Sequence, residues 1–469
     1  MASASIAAPR QKSLQDPELK EKLQFLRQTD NLTNWLFLAR TYLYFFLVIG
    51  GAIWFDLYRE EAGWSFWWNV PVAILAVILV GAGQHQLSGL AHEGVHHILF
   101  KNRYINELAS DLFCLFPLFS STHYYRLQHL AHHQFVNDPV RDPDISQLQT
   151  SGHWLPFPLA RLAFLGELLK QLWLPNLFRF MVIRAKYNAT GTDKNPYMRK
   201  GWKPSRTAIR VGILYVTAQV AVLAGLVWHG DPWLLAAVAA GLWALVMAVY
   251  LRLPEENFFQ SRVHPVISMR RQTFLRITFI TVVFNSLAWT TLLTGRPAWV
   301  YYAVYWLVPI FTSFSFFMIL RQLVQHGNAD RGYLTNTRIF FVSRFINFSV
   351  FPIGQEYHLP HHLFATVPHY RLKQLHEVLE QYPEYQEHAL EVHGYFFSPE
   401  HPQSHPTVLE VLGPEYAARE FRGVHIDNTV LEDDEVEEKD AILREGEAEA
   451  ERLAELNQST RPVAVCDAS

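Results

Sequence analysis

Long apolar segments alternate with polar connections over the first 320 residues of the chain. Six of these segments reach the roughly 20 residues that a helix needs to cross a bilayer. They lie at 35–57, 68–90, 208–228, 233–253, 274–294 and 299–320. Short loops at 58–67, 229–232 and 295–298 join them in pairs. The pattern predicts an all-α integral membrane fold with about six transmembrane helices in three hairpins.

Charge is distributed unequally between the two sides of these hairpins. The short loops carry Arg59 and Arg296, whereas the long connections carry basic clusters at 179–210 and 262–276. Cytoplasmic loops are enriched in Lys and Arg. Both termini and the long connections are therefore predicted to face the cytoplasm, across a bacterial inner membrane or the endoplasmic reticulum. The helix ends on the opposite side carry an aromatic belt of Trp64, Trp67, Trp68, Trp228, Trp233 and Trp299.

The polar parts of the chain predict three regions. Residues 1–34 form a cytoplasmic N-terminal segment, 35–380 a membrane-bound domain with a cytoplasmic cap, and 381–469 a soluble charged tail. Within the cap, 154–182 mixes apolar and charged residues, and it is predicted to be either an interfacial amphipathic helix or a core helix of the cap. The stretch 427–456 is dense in charge and is predicted to be a solvated helix or a disordered tail.

Composition agrees with a membrane protein and excludes several functions. Half of the residues are hydrophobic and 18% are charged, against about 25% in soluble domains. The net charge of −3 and the lack of recognition motifs argue against nucleic acid as a partner. Cys114 and Cys466 are too few for a disulfide framework. The polar N-terminus predicts no removable signal peptide. The unusual feature is the presence of 22 histidines.

Ten of these histidines are concentrated on the predicted cytoplasmic side, where the second and sixth segments end. The clusters are His92, His96 and His97; His129, His132 and His133; His358, His361 and His362; and the single His326. Spacings of three and four place side chains on one face of a helix, so each cluster can direct two or three imidazoles at one point. Gln322 lies one turn before His326 on the same face.

Imidazoles in this number imply a metal centre. Neutral imidazole ligates iron, zinc, copper and nickel, and about nine ligands exceed what one ion can take, so two ions are implied. Zinc ions alone would act as Lewis acids and would indicate a hydrolytic reaction. A redox-active pair beside helices that enclose lipid tails indicates instead activation of O2 against a C–H bond, an interpretation that rests on chemical plausibility rather than on spacing.

The clusters and their order resemble the histidine boxes of the membrane-bound fatty acid desaturase superfamily. The run YRLQHLAHHQFVN at 125–137, followed by DPD at 142–144, is similar to the second box of that superfamily, and YHLPHHLFATVP at 357–368 is similar to the third. The resemblance covers about residues 35–380. It implies two iron ions (Fe2+) as cofactor, O2 as co-substrate and a lipid or acyl substrate held in an apolar tunnel between cap and spans.

The resemblance also implies the ligands and catalytic residues: His92, His96 or His97, His129, His132, His133, His326, His358, His361 and His362. Gln322 would act through a bridging water. Spacing leaves the choice between His96 and His97 open. Relatives often carry Arg-x-x-x-Glu-His before the third box, whereas this chain reads RQLVQH at 321–326, so Gln325 supplies no carboxylate. The His-Pro-Gly-Gly mark of a fused cytochrome b5 domain does not occur, which implies a separate ferredoxin or cytochrome b5 as electron donor.

Other polar residues are not expected to bind the metal themselves. His85 is expected to support a ligand or face lipid rather than bind metal. Arg321, at the end of the last span, is interpreted as a cationic anchor at the membrane surface. Expected surface histidines are His123, His369, His376, His388, His393, His401 and His405. Candidates to orient metal-bound imidazoles are Glu93, Asn137, Asp138, Asp142, Asp144, Asp330, Asn347 and Glu356.

Three functions follow from these features. The favoured one is an O2-dependent diiron oxidoreductase that desaturates an acyl chain. The second, from the same superfamily, is a hydroxylase or ketolase of acyl, sphingoid or carotenoid chains. The third is a non-enzymatic membrane metal or haem carrier. A carrier needs polar residues at the middle of its spans, and the centres of these spans are nearly free of them.

Overall fold

A computed structural model describes residues 12–14, 16–190, 195, 197–198 and 205–416. The charged stretch 427–456 and Cys466 lie outside these residues. The prediction of a mostly helical membrane protein is confirmed, with 69% helix and 2% strand.

In chain order the described α-helices are α1 Pro17–Leu26, α2 Thr33–Glu61, α3 Asn69–Val95, α4 Arg103–Ala109, α5 Thr122–Gln134, α6 Pro143–Ser151, α7 Arg161–Gln171, α8 Leu174–Asn188, α9 Thr207–His229, α10 Pro232–Arg252, α11 Met269–Thr294, α12 Ala298–Tyr302, α13 Val308–Phe311, α14 Ser313–Gln325, α15 Arg344–Val350, α16 His358–Leu363, α17 Leu372–Leu379, α18 Pro383–His388 and α19 Val408–Val411. Single π-helical turns lie at Ser110–Leu115 and Ala303–Leu307. Short 3-10 turns lie at Phe66–Trp68, Phe116–Leu118, Glu255–Asn257, Gln355–Tyr357, His369–Arg371 and Pro414–Tyr416.

Six helical stretches of the described residues are long and apolar enough to cross a membrane, as the hydropathy pattern predicts. They are Thr33–Glu61, Phe66–Val95, Thr207–His229, Pro232–Arg252, Met269–Thr294 and Ala298–Gln325. The last span is interrupted at Thr312, between α13 and α14. The second and last spans run on into the histidine-bearing region, so the membrane helices themselves position part of the site.

The second and last spans pack closely through a small residue. A Cβ on Gly81 would lie 2.1 Å from the Ser313 hydroxyl oxygen and 2.6 Å from the backbone nitrogen of Phe314. Because only glycine fits at this contact, α3 and α14 approach each other closely. This contact fixes the relative positions of the helices that lead to His92 and His326.

The cap contains one small β-sheet. Strand β1, Ile339–Phe341, pairs in parallel with β2, Glu391–His393, with Phe340 opposite Val392. Side chains from α14, β1, β2 and α19 share one hydrophobic core, to which Val392 and Val408 belong. Apolar residues between 390 and 412 thus share a core with α14 of the last span.

Helices α7 and α8 occupy the amphipathic stretch of the cap. Phe164 and Phe180 are buried in the cap core. The opposite side exposes Leu162, Leu169 and Trp173 at 82%, 69% and 65%. A helix pair with one face in a core and an apolar outer face suits a position along the membrane interface. The stretch therefore combines the two arrangements that the sequence suggests.

A buried ion pair connects the first two histidine clusters. The Arg126 guanidinium donates to Val95 O at 2.9 Å, to Gly94 O at 3.0 Å and to a Glu107 carboxylate oxygen at 2.6 Å. Arg126 belongs to α5, whereas Gly94 and Val95 end α3. The carbonyl groups that end a helix lack partners within it, and Arg126 satisfies two of them while fixing α5 against the second span.

Candidate metal centre

Nine histidines from distant parts of the chain converge in two buried groups. In each group one ligand-capable atom per residue lies within 4.8 Å of all the others. The first group is His92, His96, His129, His133 and His361, and the second is His132, His326, His358 and His362. His97 belongs to neither group.

Helical spacing explains how these residues divide between the groups. In the second and third clusters the first and last histidines are four residues apart and share a helix face. His129 and His133 of α5 accordingly enter the first group, while His358 and His362 of α16 enter the second. The intermediate histidines are His132 and His361. Each points about 100° away from the face that carries its two neighbours, and each belongs to the other group. Each helix therefore contributes to both groups.

The distances between ring nitrogens match shared coordination of an ion. Nε2 of His133 lies 2.9 Å from Nε2 of His129 and 3.1 Å from that of His361. In the second group, Nε2 of His326 lies 3.2 Å from that of His132 and 3.0 Å from that of His358. Nitrogens that hold one ion at about 2.1 Å stand about 3.0 Å apart in octahedral and about 3.4 Å apart in tetrahedral coordination.

Electrostatics supports metal binding by the same atoms. Burial lowers the pKa of His96, His129, His133, His326, His358 and His362, and it lowers the pKa of His361 to about 3. The rings are therefore neutral, which is the form that ligates a metal. Nε2 of His92 and both ring nitrogens of His96 are buried without a hydrogen-bond partner. Closely spaced lone pairs of neutral rings repel one another unless a cation lies among them, so the residues fit a pair of metal ions.

His132 differs because it has carboxylate partners. Burial alone would lower its pKa, but Asp142 and Asp144 outweigh that effect and raise the pKa to about 9. Its Nδ1 lies 3.0 and 3.1 Å from the two Asp142 carboxylate oxygens. A carboxylate that accepts from the distal N–H of a metal-bound imidazole fixes its tautomer and orientation. Asp142 therefore directs Nε2 of His132 at the second group.

Two other histidines of the groups have partners that orient them. Nδ1 of His326 lies 2.9 Å from the Asn336 carbonyl oxygen, and the Asn137 amide donates to the same oxygen at 3.1 Å. Nδ1 of His92 lies 3.3 Å from Nε2 of Gln355. The Gln355 side-chain oxygen in turn accepts a hydrogen bond from Nε2 of Gln325 at 3.2 Å. Gln325, which replaces the expected carboxylate, thus reaches the centre through Gln355. Sequence reasoning missed Gln355 and Asn336, because nothing local connects them with His92 or His326.

Most of the other candidate orienting residues bond to groups outside the nine rings. Glu93 accepts from both the backbone nitrogen and Nδ1 of His369, at 2.9 and 3.2 Å. Asp138 pairs with Arg141 and Arg331, Asp330 shapes a turn at Gly332, and Asn347 donates to Glu356. Asp144 lies 4.0 Å from Nδ1 of His132.

Three histidines predicted to lie at the surface are buried, and that prediction is wrong for them. His123, His369 and His376 are 0%, 6% and 5% exposed. Each has a polar partner from a remote segment or turn: Ser261 for His123, Glu93 for His369 and Tyr385 for His376. An imidazole with a hydrogen-bond partner can be buried. The partners of these three histidines could not be identified from the sequence. His388 and His401 are exposed, and His393 and His405 are half-buried.

His85 and Arg321 also differ from simple surface or lipid-facing residues. His85 is fully buried with Nδ1 2.7 Å from the Ser349 carbonyl oxygen, outside both metal groups. Arg321 is 6% exposed, so it does not serve as an anchor at the membrane surface. Arg321 lines the same small cavity as His92, His129 and His358.

Comparison with known proteins agrees with the geometry. The profile of the fatty acid desaturase family matches residues 65–254 and 243–395. The chain belongs to the fatty acid desaturase family. This desaturase-family chain is 26% identical to the dihydrorhizobitoxine desaturase of Bradyrhizobium elkanii over 360 residues, which cover 74% of the chain and 77% of the relative. It is 32% identical to the Delta(5) fatty acid desaturase fat-4 of Caenorhabditis elegans over 127 residues, which cover 27% of the chain and 26% of that relative.

The desaturase-family chain contains an apolar cavity of about 420 Å³ between α8 and the last span. Its outer part is formed by Met181, Val182, Leu307, Ile310 and Phe311, and its inner end by Ser88, Tyr125, Arg184 and Asn188. Tyr125, Arg184 and Asn188 also line a small polar cavity beside His92, His129, His132 and His358. The apolar cavity therefore adjoins the metal centre across the side chains of Tyr125, Arg184 and Asn188.

The geometry at the end of α3 separates His96 from His97. The helix ends at Val95, and the backbone of His97 adopts a left-handed φ of 58° that carries its ring away from the helix face. We expect His96→Ala to lose bound metal. His97→Asn should change the metal content by less than about twofold, because the His97 ring belongs to neither group of imidazoles. Asparagine tolerates the left-handed backbone. Metal per chain, measured by plasma mass spectrometry, checks both outcomes; equal losses would make His97 a ligand.

Proposed function

We propose that this protein is an O2-dependent diiron membrane oxidoreductase that desaturates the acyl chain of a fatty acid or lipid. The observation that carries the proposal is the pair of buried imidazole groups, five and four in number, at the inner end of an apolar cavity. The two relatives named as desaturases support the same reaction type.

Two iron ions fit the donor set better than zinc does. Zinc sites are almost always four-coordinate, whereas the first group offers five imidazoles. His92, His96, His129, His133 and His361 would hold one ion, and His132, His326, His358 and His362 the other. Bound iron would supply the oxidising chemistry: two hydrogen atoms leave adjacent carbons of the substrate, and O2 takes them up together with two electrons and two protons to give two water molecules.

The residues of the chain itself position the reactants. The apolar walls of the cavity hold the hydrocarbon and exclude water, which limits its motion to those poses that bring a carbon to the centre. Asp142 and the Asn336 carbonyl group fix the rings of His132 and His326. Because pocket side chains hold the substrate in place, chain length and head group will decide which carbon is attacked.

We further propose that the histidine boxes and both termini face the cytoplasm. The hairpin loops on the other side carry cations that are already paired, Arg59 with Asp56 and Arg296 with Glu60. A separate ferredoxin or cytochrome b5 would then deliver the two electrons from the cytoplasmic side. The basic clusters at 179–210 and 262–276 lie on the side of the long connections. Cytoplasmic loops are enriched in Lys and Arg, which supports this orientation.

Expression in a host of known lipid composition tests the proposal. We expect a new product that lacks two hydrogen atoms relative to a host lipid or fatty acid, detected by mass spectrometry and missing from the empty host. A product that gains one oxygen atom would instead make the protein a hydroxylase or ketolase of the same family. Purified protein that contains one zinc ion or one haem and no iron would contradict the enzyme proposal and favour a carrier.

A further inference from the structure

The apolar cavity ends beside positively charged side chains. A site that binds only hydrocarbon would be apolar at this end as well. The small cavity beside His92, His129 and His358 is lined by Arg184 and Arg321. Both arginines are buried, at 9% and 6% exposure. An arginine in such a position needs a partner of opposite charge.

The donors of Arg321 are only partly used. Its Nε and Nη1 are buried and make no hydrogen bond. A guanidinium carries five N–H donors in a fixed planar arrangement that matches a carboxylate. Unsatisfied donors at the wall of a cavity point to a polar ligand that is bound there.

The charges around this cavity do not balance. Among the charged groups of its lining, Arg184 and Arg321 are cationic and Asp144 is the anion, leaving aside the histidines. The two arginines repel each other, and Asp144 compensates for one of them. Each metal ion held by neutral imidazoles would add further positive charge. A buried excess of this sign favours an anionic group of the substrate.

We propose that Arg321 and Arg184 form an anion subsite next to the metal centre, and that the substrate is a free carboxylate whose attacked carbon lies within a few bonds of its anionic group. The proposal rests on the proposed function for the reaction and narrows its substrate class. Tyr125, Arg184 and Asn188 line both cavities. The carboxylate would therefore bind at the polar end while the hydrocarbon extends through the apolar cavity toward the membrane.

This arrangement disfavours substrates with a bulky head group. The free space of the polar cavity is about that of one water molecule, which admits one carboxylate oxygen beside Arg321 but no larger group. A phospholipid head group or a large thioester carrier does not fit between Arg321 and the histidines. The attacked bond would thus lie near the carboxyl end of the molecule rather than in the middle of a long chain.

Binding of a matched pair of probes tests the subsite without turnover. Tritiated dodecanoate and dodecanol are titrated against the full-length, iron-loaded protein in nanodiscs of neutral phospholipid, without reductant. We expect wild type to bind dodecanoate at least about tenfold more tightly than dodecanol, since removing one partner of a buried charge pair costs a large factor in affinity. Arg321→Met should abolish this preference while leaving dodecanol affinity unchanged, and Arg321→Lys should retain part of it.

The control is Arg344→Met, which removes an exposed arginine of the cap and should leave the preference intact. Arg184→Met provides a second variant if Arg321→Met loses iron or fails to fold, and it should weaken the preference in the same direction. Equal binding of the two probes by wild type, or an undiminished preference in an iron-loaded variant of either arginine, would overturn the subsite. Because no turnover is needed, a preserved preference in a protein that forms no product would contradict the proposed reaction alone.

Discussion

Replacing His361 with alanine is expected to lower product formation by more than about a hundredfold, because loss of even an outer partner of a metal-bound imidazole costs about 10- to 100-fold. His361 is 1% exposed, and its Nε2 lies 3.1 Å from that of His133. Its ring also packs 4.4 Å from the ring of His92. The variant leaves four of the five imidazoles in the first group and should hold less iron.

The matched control for this variant is His388→Ala. His388 is an exposed histidine of α18, so its removal should leave both iron content and product unchanged. Product is measured by mass spectrometry of the host lipids, and iron by plasma mass spectrometry of the purified protein. Product and iron at wild-type levels in His361→Ala would exclude this residue from the centre.

Replacing Asp142 with asparagine is expected to lower the affinity for iron about 10- to 100-fold. The change keeps the size of the side chain and removes the negative charge that faces Nδ1 of His132. An amide accepts through one oxygen only, so the ring loses part of its orientation and basicity. Competition with a chelator of known iron affinity measures the change.

Asp138→Asn is the control for the Asp142 variant. Asp138 is a buried carboxylate of the same loop that accepts from the backbone nitrogens of Val140 and Arg141 and pairs with Arg331. It contacts none of the nine histidines, so its substitution should affect the stability of the loop more than the affinity for iron. Equal losses of iron affinity in the two variants would mean that Asp142 acts on the fold and not on His132.

The parts of the structure that depend on local pattern could be predicted from the sequence. Hydrophobic length places the first span at 35–57, and the helix runs from Thr33 to Glu61. Spacing brings His129 and His133 onto one face, and they meet in the same group. These features depend on helix geometry alone, so they could be inferred without knowledge of the fold.

The features that depend on contacts distant in sequence could not be predicted. Spacing does not show that His361 meets the first group while His358 and His362 meet the second. This depends on which imidazole rings of α16 and α5 meet, His361 with His133 and His362 with His132. The contact of Gln355 with His92 joins residues 263 positions apart. Burial of Arg321 likewise depends on how α14 packs against the cap, and a hydropathy pattern does not distinguish a buried cation at a span end from an exposed one.

Metal analysis of the purified wild-type protein tests the central claim most directly. The two groups of imidazoles, five and four in number, predict two iron ions per chain by plasma mass spectrometry, with zinc far below one per chain. A single iron ion, one zinc ion or one haem per fully folded chain would contradict a diiron centre held by these nine histidines.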